Sequence, residues 1–216
     1  MFTEGISDLM AAPIYIDFDD VLCETARALL NIIKAEFGKT TAFEDIFSFD
    51  LTASFDLDEA QTDRLFDLFH DEDVLAGFAP VPGSAEAVRQ WHALGAEIHI
   101  VTGRPPATHV ASVDWLAAHD VPYHQITFVD KYGRNHDRVD AVEMLTLDEL
   151  RQRKYSLAID DSPSTLRFMA EHTDIPIVIM DRPWNVTLGT LGDDSRIMRC
   201  ATWADVLERV PNPNII

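Results

Sequence analysis

The sequence predicts an α/β fold built on a Rossmann-like parallel sheet, and three observations predict it. Apolar runs of strand length recur along the chain and alternate with stretches of helical spacing. Runs such as Ile14 to Ile16 and Ile175 to Met180 show little polar alternation, the pattern of strands covered on both faces. Several runs end in polar residues, as expected at the edge of a parallel sheet where ligands bind.

Each element follows from local pattern. Ile14 to Ile16 is short enough to be a buried strand, and Asp17, Asp19 and Asp20 follow it within four residues. Ala26, Leu29, Leu30, Ile33 and Phe37 have helical spacing, with Gly38 as the stop. The stretch 40–57 is mixed and holds phenylalanines at 43, 47, 49 and 55. Asp58 and Gln61 stand in capping-box spacing before a helix that reaches His70, with Leu65, Leu68 and Phe69 on its apolar face. Gly77 to Gly83 is rich in chain breakers. Ser84 to Leu94 reads as a helix with Ala87, Val88, Trp91 and Leu94 on one face and Gly95 beyond its end.

Strands are expected at 97–101, 125–129, 156–159 and 175–180, with a last one at 196–200. Helices are expected at 108–119, after the capping box Thr146 to Glu149, after Ser162 as cap with Pro163 at the first position, and at 202–210. At 216 residues the chain can hold one core and a small subdomain.

Charge narrows the partners. Acids outnumber bases 37 to 17, a net charge of −20, which argues against a nucleic-acid polymer or an anionic membrane as partner. Any phosphate site therefore needs local cations. No apolar run reaches membrane-spanning length, and residues 1–13 lack the pattern of a signal peptide. Cys23 and Cys200 make no disulfide framework and suit a reducing, cytoplasmic setting. Oligomeric state is left open by the sequence.

Asp17, Thr102, Lys131 and Asp160 each follow a different expected strand, and a parallel sheet would bring them to one edge. Chemically they suit phosphoryl transfer: a carboxylate to attack phosphorus, a second to move a proton, a hydroxyl and an ammonium on the phosphoryl oxygens, and acids for magnesium. Clustered carboxylates without paired His or Cys favour a hard cation such as Mg2+ over zinc.

These four stretches resemble the motifs of the haloacid dehalogenase superfamily of phosphohydrolases. Asp17-Phe18-Asp19 looks like its first motif, and the strand ending at Thr102 like its second. A lysine is the third, and Asp160-Asp161 after an apolar strand is similar to the fourth. The resemblance is strongest to the cytosolic deoxyribonucleotidase type, through Phe78 to Ser84, Ile159 to Ser162 and Pro183-Trp184-Asn185. Two departures are Asp20, where those nucleotidases carry Gly, and Gly103-Arg104, where they tend to have Ser-Pro.

The resemblance implies a phosphomonoesterase acting on a small phosphorylated substrate, with nucleoside monophosphates as one class. It implies Asp17 as nucleophile and Asp19 as acid and base. Thr102 and Gly103 would hold the phosphoryl group, and Lys131 would offset charge. Asp17, the Asp19 carbonyl and Asp160 would hold magnesium, with Asp161 behind them. Lys154 competes with Lys131 but precedes its strand. Asp20 reads as solvent-facing or near the metal and receives no role, and Arg104 reads equally as a substrate contact or a surface side chain. Trp184 and Asn185 read as packing and turning residues.

The same resemblance divides the chain into a core of 1–24 and 80–216 and a helical cap of 25–79 inserted after the first strand. Its phenylalanines read first as the cap's own core. Three other functions share these residues: dehalogenation, which Asp19 disfavours; a phospho-accepting signalling module, usually half this length; and a non-catalytic magnesium- or phosphate-binding domain. A phosphatase for some other small metabolite is the nearer alternative.

Overall fold

The computed structural model describes residues 12–48, 54–131, 142, 144–188 and 194–215. Phe49 and the start of the chain lie outside these residues. Seven strands form one sheet: β1 (Ile14–Asp17), β2 (Ile98–Thr102), β3 (Gln125–Asp130), β4 (Met144–Thr146), β5 (Leu157–Asp160), β6 (Ile177–Met180) and β7 (Ile197–Cys200). Their order is β4-β3-β2-β1-β5-β6-β7 and every pairing is parallel. Chain order reverses between β1 and β5, so the topological switch point lies there.

The described helices are α1 (Thr25–Phe37), α2 (Glu59–Phe69), α3 (Glu72–Ala76), α4 (Ser84–Ala93), α5 (His109–Ala118), α6 (Leu147–Leu150), α7 (Pro163–His172) and α8 (Trp203–Arg209). Successive strand residues serve opposite faces, as pleating requires. Ile14 and Ile16 pack with Trp91, Trp115 and Trp203 of α4, α5 and α8, whereas Tyr15 packs with Leu150, Leu166 and Met169 of α6 and α7. The sheet is thus covered on both sides, which accounts for the fully buried runs in β1, β5 and β6.

Between β1 and α4 stand α1, α2 and α3. Ala26, Leu29, Ile33, Ile46, Phe55, Leu57 and Leu65 form a separate apolar cluster there. The chain entering this insertion runs beside the chain leaving it: Glu24 donates to the Ala79 carbonyl at 2.8 Å, and Val81 to that of Leu22 at 2.8 Å. Ser84 Oγ reaches the Leu22 carbonyl as well, at 3.0 Å. Phe55 joins the insertion's core as expected, but Phe47 is 66% exposed.

The expected caps form at Asp58 and Thr146, and Gly38 ends α1 in the left-handed region that glycine adopts without strain. Three details differ. α4 ends at Ala93, so Leu94 falls in the turn and is 46% exposed rather than on the apolar face. Ser162 stands at the N-cap of α7, yet its hydroxyl pairs with Ser164 instead of capping. Two short elements carry too little periodicity to be read from sequence: α3, capped by Asp71, and β4, which is defined by its pairing to β3.

Candidate active site

The site forms where β1, β2, β3 and β5 end. Asp17 and Asp160 close β1 and β5, Thr102 closes β2, and Lys131 follows β3. Parallel strands end on one side of the sheet, so residues far apart in sequence meet. Lys131 Nζ donates to Asp17 Oδ1 at 2.5 Å and to Asp160 Oδ2 at 3.0 Å. Asp160 also accepts from the Tyr15 hydroxyl at 2.7 Å and from the Ser162 N–H at 2.7 Å. Lys154, the competing lysine, is exposed.

Asp17, Asp160 and Asp161 are buried, and each offers a carboxylate oxygen within 4.8 Å of the others. Burial raises the Asp17 carboxyl well above its ordinary range; Lys131 opposes this, and the charge of Asp160 adds to it. Asp161 is raised well above its range too, by burial and then by the charges of Asp20, Asp17 and Asp160. Negative charge is thus in excess here. Three crowded, dry carboxylates have the donor chemistry of a site for a hard divalent cation.

The Asp19 carboxylate faces elsewhere. The Arg104 guanidinium grips it, with Nε 3.1 Å from both oxygens and one terminal nitrogen 2.8 Å from Oδ1. Thr25 Oγ1 adds a 2.5 Å bond. Burial works against the charged form of Asp19, but Arg104 and the Thr25 bond overcome it and hold the carboxyl below its usual range. Arg104 is itself 4% exposed. It stacks over the Phe18 ring at 4.0 Å and donates to Ser112 Oγ and Cys23 Sγ, each at 3.2 Å.

Arg104 is therefore a buried partner of Asp19 and not a surface side chain. Thr102 is fully buried, and its hydroxyl accepts the Arg104 N–H at 3.1 Å, which shapes the turn through the partly buried Gly103.

Asp20 is 6% exposed rather than solvent-facing. It adopts φ 56°, a left-handed conformation that short acidic side chains tolerate better than most. Its carboxylate accepts the Ala26 N–H in the first turn of α1, at 3.0 and 3.2 Å. Burial pushes its carboxyl up to about 7, opposed by that bond. Arg182 donates twice to the Asp20 carbonyl. Trp184 and Asn185 do pack and turn the chain, and they also reach Asp161, through its carboxylate and its carbonyl respectively. Tyr15, Arg182 and Trp184 join the site residues named from the sequence. Tyr15 carries a sequence signal in its two-residue spacing from Asp17 on one strand face, and Trp184 lies in the Pro183-Trp184-Asn185 stretch of the resemblance.

Comparison with known proteins identifies relatives of the chain and of its fold. The family described as "5' nucleotidase, deoxy (Pyrimidine), cytosolic type C protein" matches residues 11–211. A relative from Halalkalibacterium halodurans, named "Putative nucleotidase", is 23% identical over 190 residues, covering 88% of each chain. Among solved structures, a HAD family hydrolase from Deinococcus radiodurans R1, crystallised with phosphate and sodium, has a TM-score of 0.57 at 16% identity. The match covers 94% of this chain and 96% of that one. A chain from Clostridium acetobutylicum described as "a predicted phosphatase" reaches a TM-score of 0.62 at 12% identity, covering 94% and 99%. Among the described residues no helix is long and apolar enough to cross a membrane. The chain belongs to this cytosolic type C nucleotidase family, a branch of the haloacid dehalogenase superfamily of phosphoric monoester hydrolases.

Proposed function

We propose that the chain is a magnesium-dependent phosphomonoesterase that works through a phosphorylated Asp17, with a nucleoside monophosphate as substrate. The observation that carries this reading is the Lys131 ammonium held between Asp17 and Asp160 at the switch point of the sheet. The ammonium favours the ionised, nucleophilic form of Asp17 and would face an incoming phosphate. The substrate class rests on the family's description as a nucleotidase. The same description and the two free, buried cysteines support a cytoplasmic setting.

The sequence puts Asp161 behind the ligands, but its carboxylate lies within 4.8 Å of those of Asp17 and Asp160, so all three would hold magnesium by their carboxylates, and Asp19 by its carbonyl. When bound, magnesium supplies positive charge that offsets both the carboxylates and the phosphoryl oxygens.

The steps belong to the chain's own residues. An Asp17 oxygen attacks phosphorus, the ester P–O bond breaks, and the leaving oxygen takes a proton from Asp19. Water then attacks the phosphorus, Asp19 takes its proton, and the Asp17–phosphorus bond breaks to release phosphate. In the free protein Asp19 is held ionised by Arg104, the state needed for the second step. An incoming phosphate dianion raises the proton affinity of Asp19 by like charge and competes for Arg104, which favours the protonated state needed for the first. Thr102 and Gly103 would frame the phosphoryl group from the end of β2. The insertion 25–79 would serve as a cap that excludes water and selects the leaving group.

The test is phosphate release from a panel of phosphate esters. We expect nucleoside monophosphates to turn over fastest, activity to vanish in excess chelator, and added Mg2+ to restore it. Undiminished turnover in excess chelator would remove the metal from the mechanism. Preference for another small metabolite ester would leave the chemistry and change the substrate.

A further inference from the structure

Trp184 belongs to two groups of residues at once. Its ring is buried in the apolar cluster of the insertion with Ala26, Leu29, Ile33 and Leu65, and it meets Phe43 edge-on, 5.8 Å between ring centres at 72°. Its indole N–H donates to Asp161 Oδ2 at 2.8 Å, in a buried contact. The neighbouring Asn185 fixes the same loop to the sheet, donating to the carbonyls of Asp161 and Met180 at 2.9 Å each. So the loop after β6 is pinned at the edge of the sheet while the Trp184 ring lies among the helices of the insertion.

We propose that Trp184 is a positioning residue that orients the Asp161 carboxylate for the metal and couples the packing of the insertion to that acid. The proposal rests on the metal reading given above. A carboxylate rotates easily about its last bond, and one directional N–H fixes which oxygen faces which way. Asp161 lies among like charges, so its orientation without that donor would be set by repulsion from Asp17 and Asp160. Donors that orient metal ligands typically change metal affinity when they are removed. The ring packs in the insertion's cluster and against Phe43, so a shift of Phe43 and α1 moves the donor and is felt at Asp161. A side chain that only filled space would not transmit it.

The experiment measures Mg2+ affinity of the purified full chain by calorimetry, without substrate. Trp184→Phe retains a ring and removes the N–H. Phe43→Ala removes the edge contact at a partly exposed position, away from the acids. We expect Trp184→Phe to bind Mg2+ about 10- to 100-fold more weakly. Phe43→Ala should weaken binding about threefold, and that increment should disappear in the double variant. Wild-type affinity in folded Trp184→Phe would overturn the role of the indole. An additive loss in the double variant would overturn the route from Phe43 through it. If Trp184→Phe does not fold, Phe43→Ala alone decides, and unchanged affinity there overturns the coupling. A wild-type protein that binds no Mg2+ would instead overturn the metal reading itself.

Discussion

Asp17 and Asp19 leave β1 two residues apart, and their charges are balanced in different ways. Asp19 has a cation of its own: Arg104 grips both its oxygens, Thr25 adds a hydrogen bond, and its carboxyl lies below the usual range despite burial. Asp17 shares one ammonium with Asp160, beside Asp161, and its carboxyl is raised well above the usual range, by burial first. A matched pair needs nothing further. A buried excess of negative charge is stable only if something positive arrives or protons are taken up. The two carboxylates of the three-residue stretch Asp17-Phe18-Asp19 therefore stand in different electrostatic settings. On the proposed reading, the Asp17 side would take a cation and a phosphoryl group, while the Asp19 side would keep a carboxylate oriented for proton transfer.

The largest effect should come from the deficient side. Asp17→Asn keeps the shape and removes the nucleophile, and we expect turnover to fall on the order of a thousandfold or more. Near-normal turnover would defeat the assignment of the site. Asp19→Asn should separate the two roles. It retains the backbone carbonyl, so Mg2+ should still bind. We expect turnover of alkyl esters to fall by about 10²- to 10⁴-fold. An aryl phosphate needs little protonation on leaving. It should give one burst of aryl alcohol and a phosphoryl adduct visible in the intact-protein mass. Substrate and metal binding with neither burst nor adduct would exclude Asp19 as the acid and base.

The legible parts of this molecule are those whose signal is local. Asp17, Thr102 and Asp160 could be placed because each closes an apolar run, and the parallel sheet then brings their ends together without further information. The capping boxes at Asp58 and Thr146 were legible for the same reason, since each is complete within four residues. Arg104 was not, because its burial depends on Asp19, Cys23, Phe18 and Ser112, none of them sequence neighbours. Asp20 reads as solvent-facing or near the metal because an acid in a turn after such a cluster fits either; it is buried, and its partner is an N–H at the start of α1, six residues on. Trp184 reads as a packing residue until the position of the insertion is known.

The smallest expected effect tests how the matched pair works. Arg104→Lys keeps the positive charge but replaces a planar fork with a point donor on a flexible stem. One ammonium cannot reproduce the paired contact to both oxygens of Asp19 together with the bonds to Ser112 and Cys23. The charge near Asp19 would persist while its orientation loosened. If Arg104 acts through Asp19, the loss should follow the need for a proton. In single-turnover measurements of the first step we expect the rate on alkyl phosphates to drop about tenfold, a modest share of what general acid–base catalysis supplies. The first step on the aryl phosphate should stay within about threefold, because its leaving group needs little help from Asp19, while the later hydrolysis of phosphorylated Asp17 slows equally for both. KM should change little for either ester. The same measurement separates a second role, since a guanidinium that gripped the phosphate itself would slow both esters alike and raise KM for both. That result would move Arg104 from the proton-transfer side of the loop to the phosphoryl side and remove the division of labour between Asp17 and Asp19.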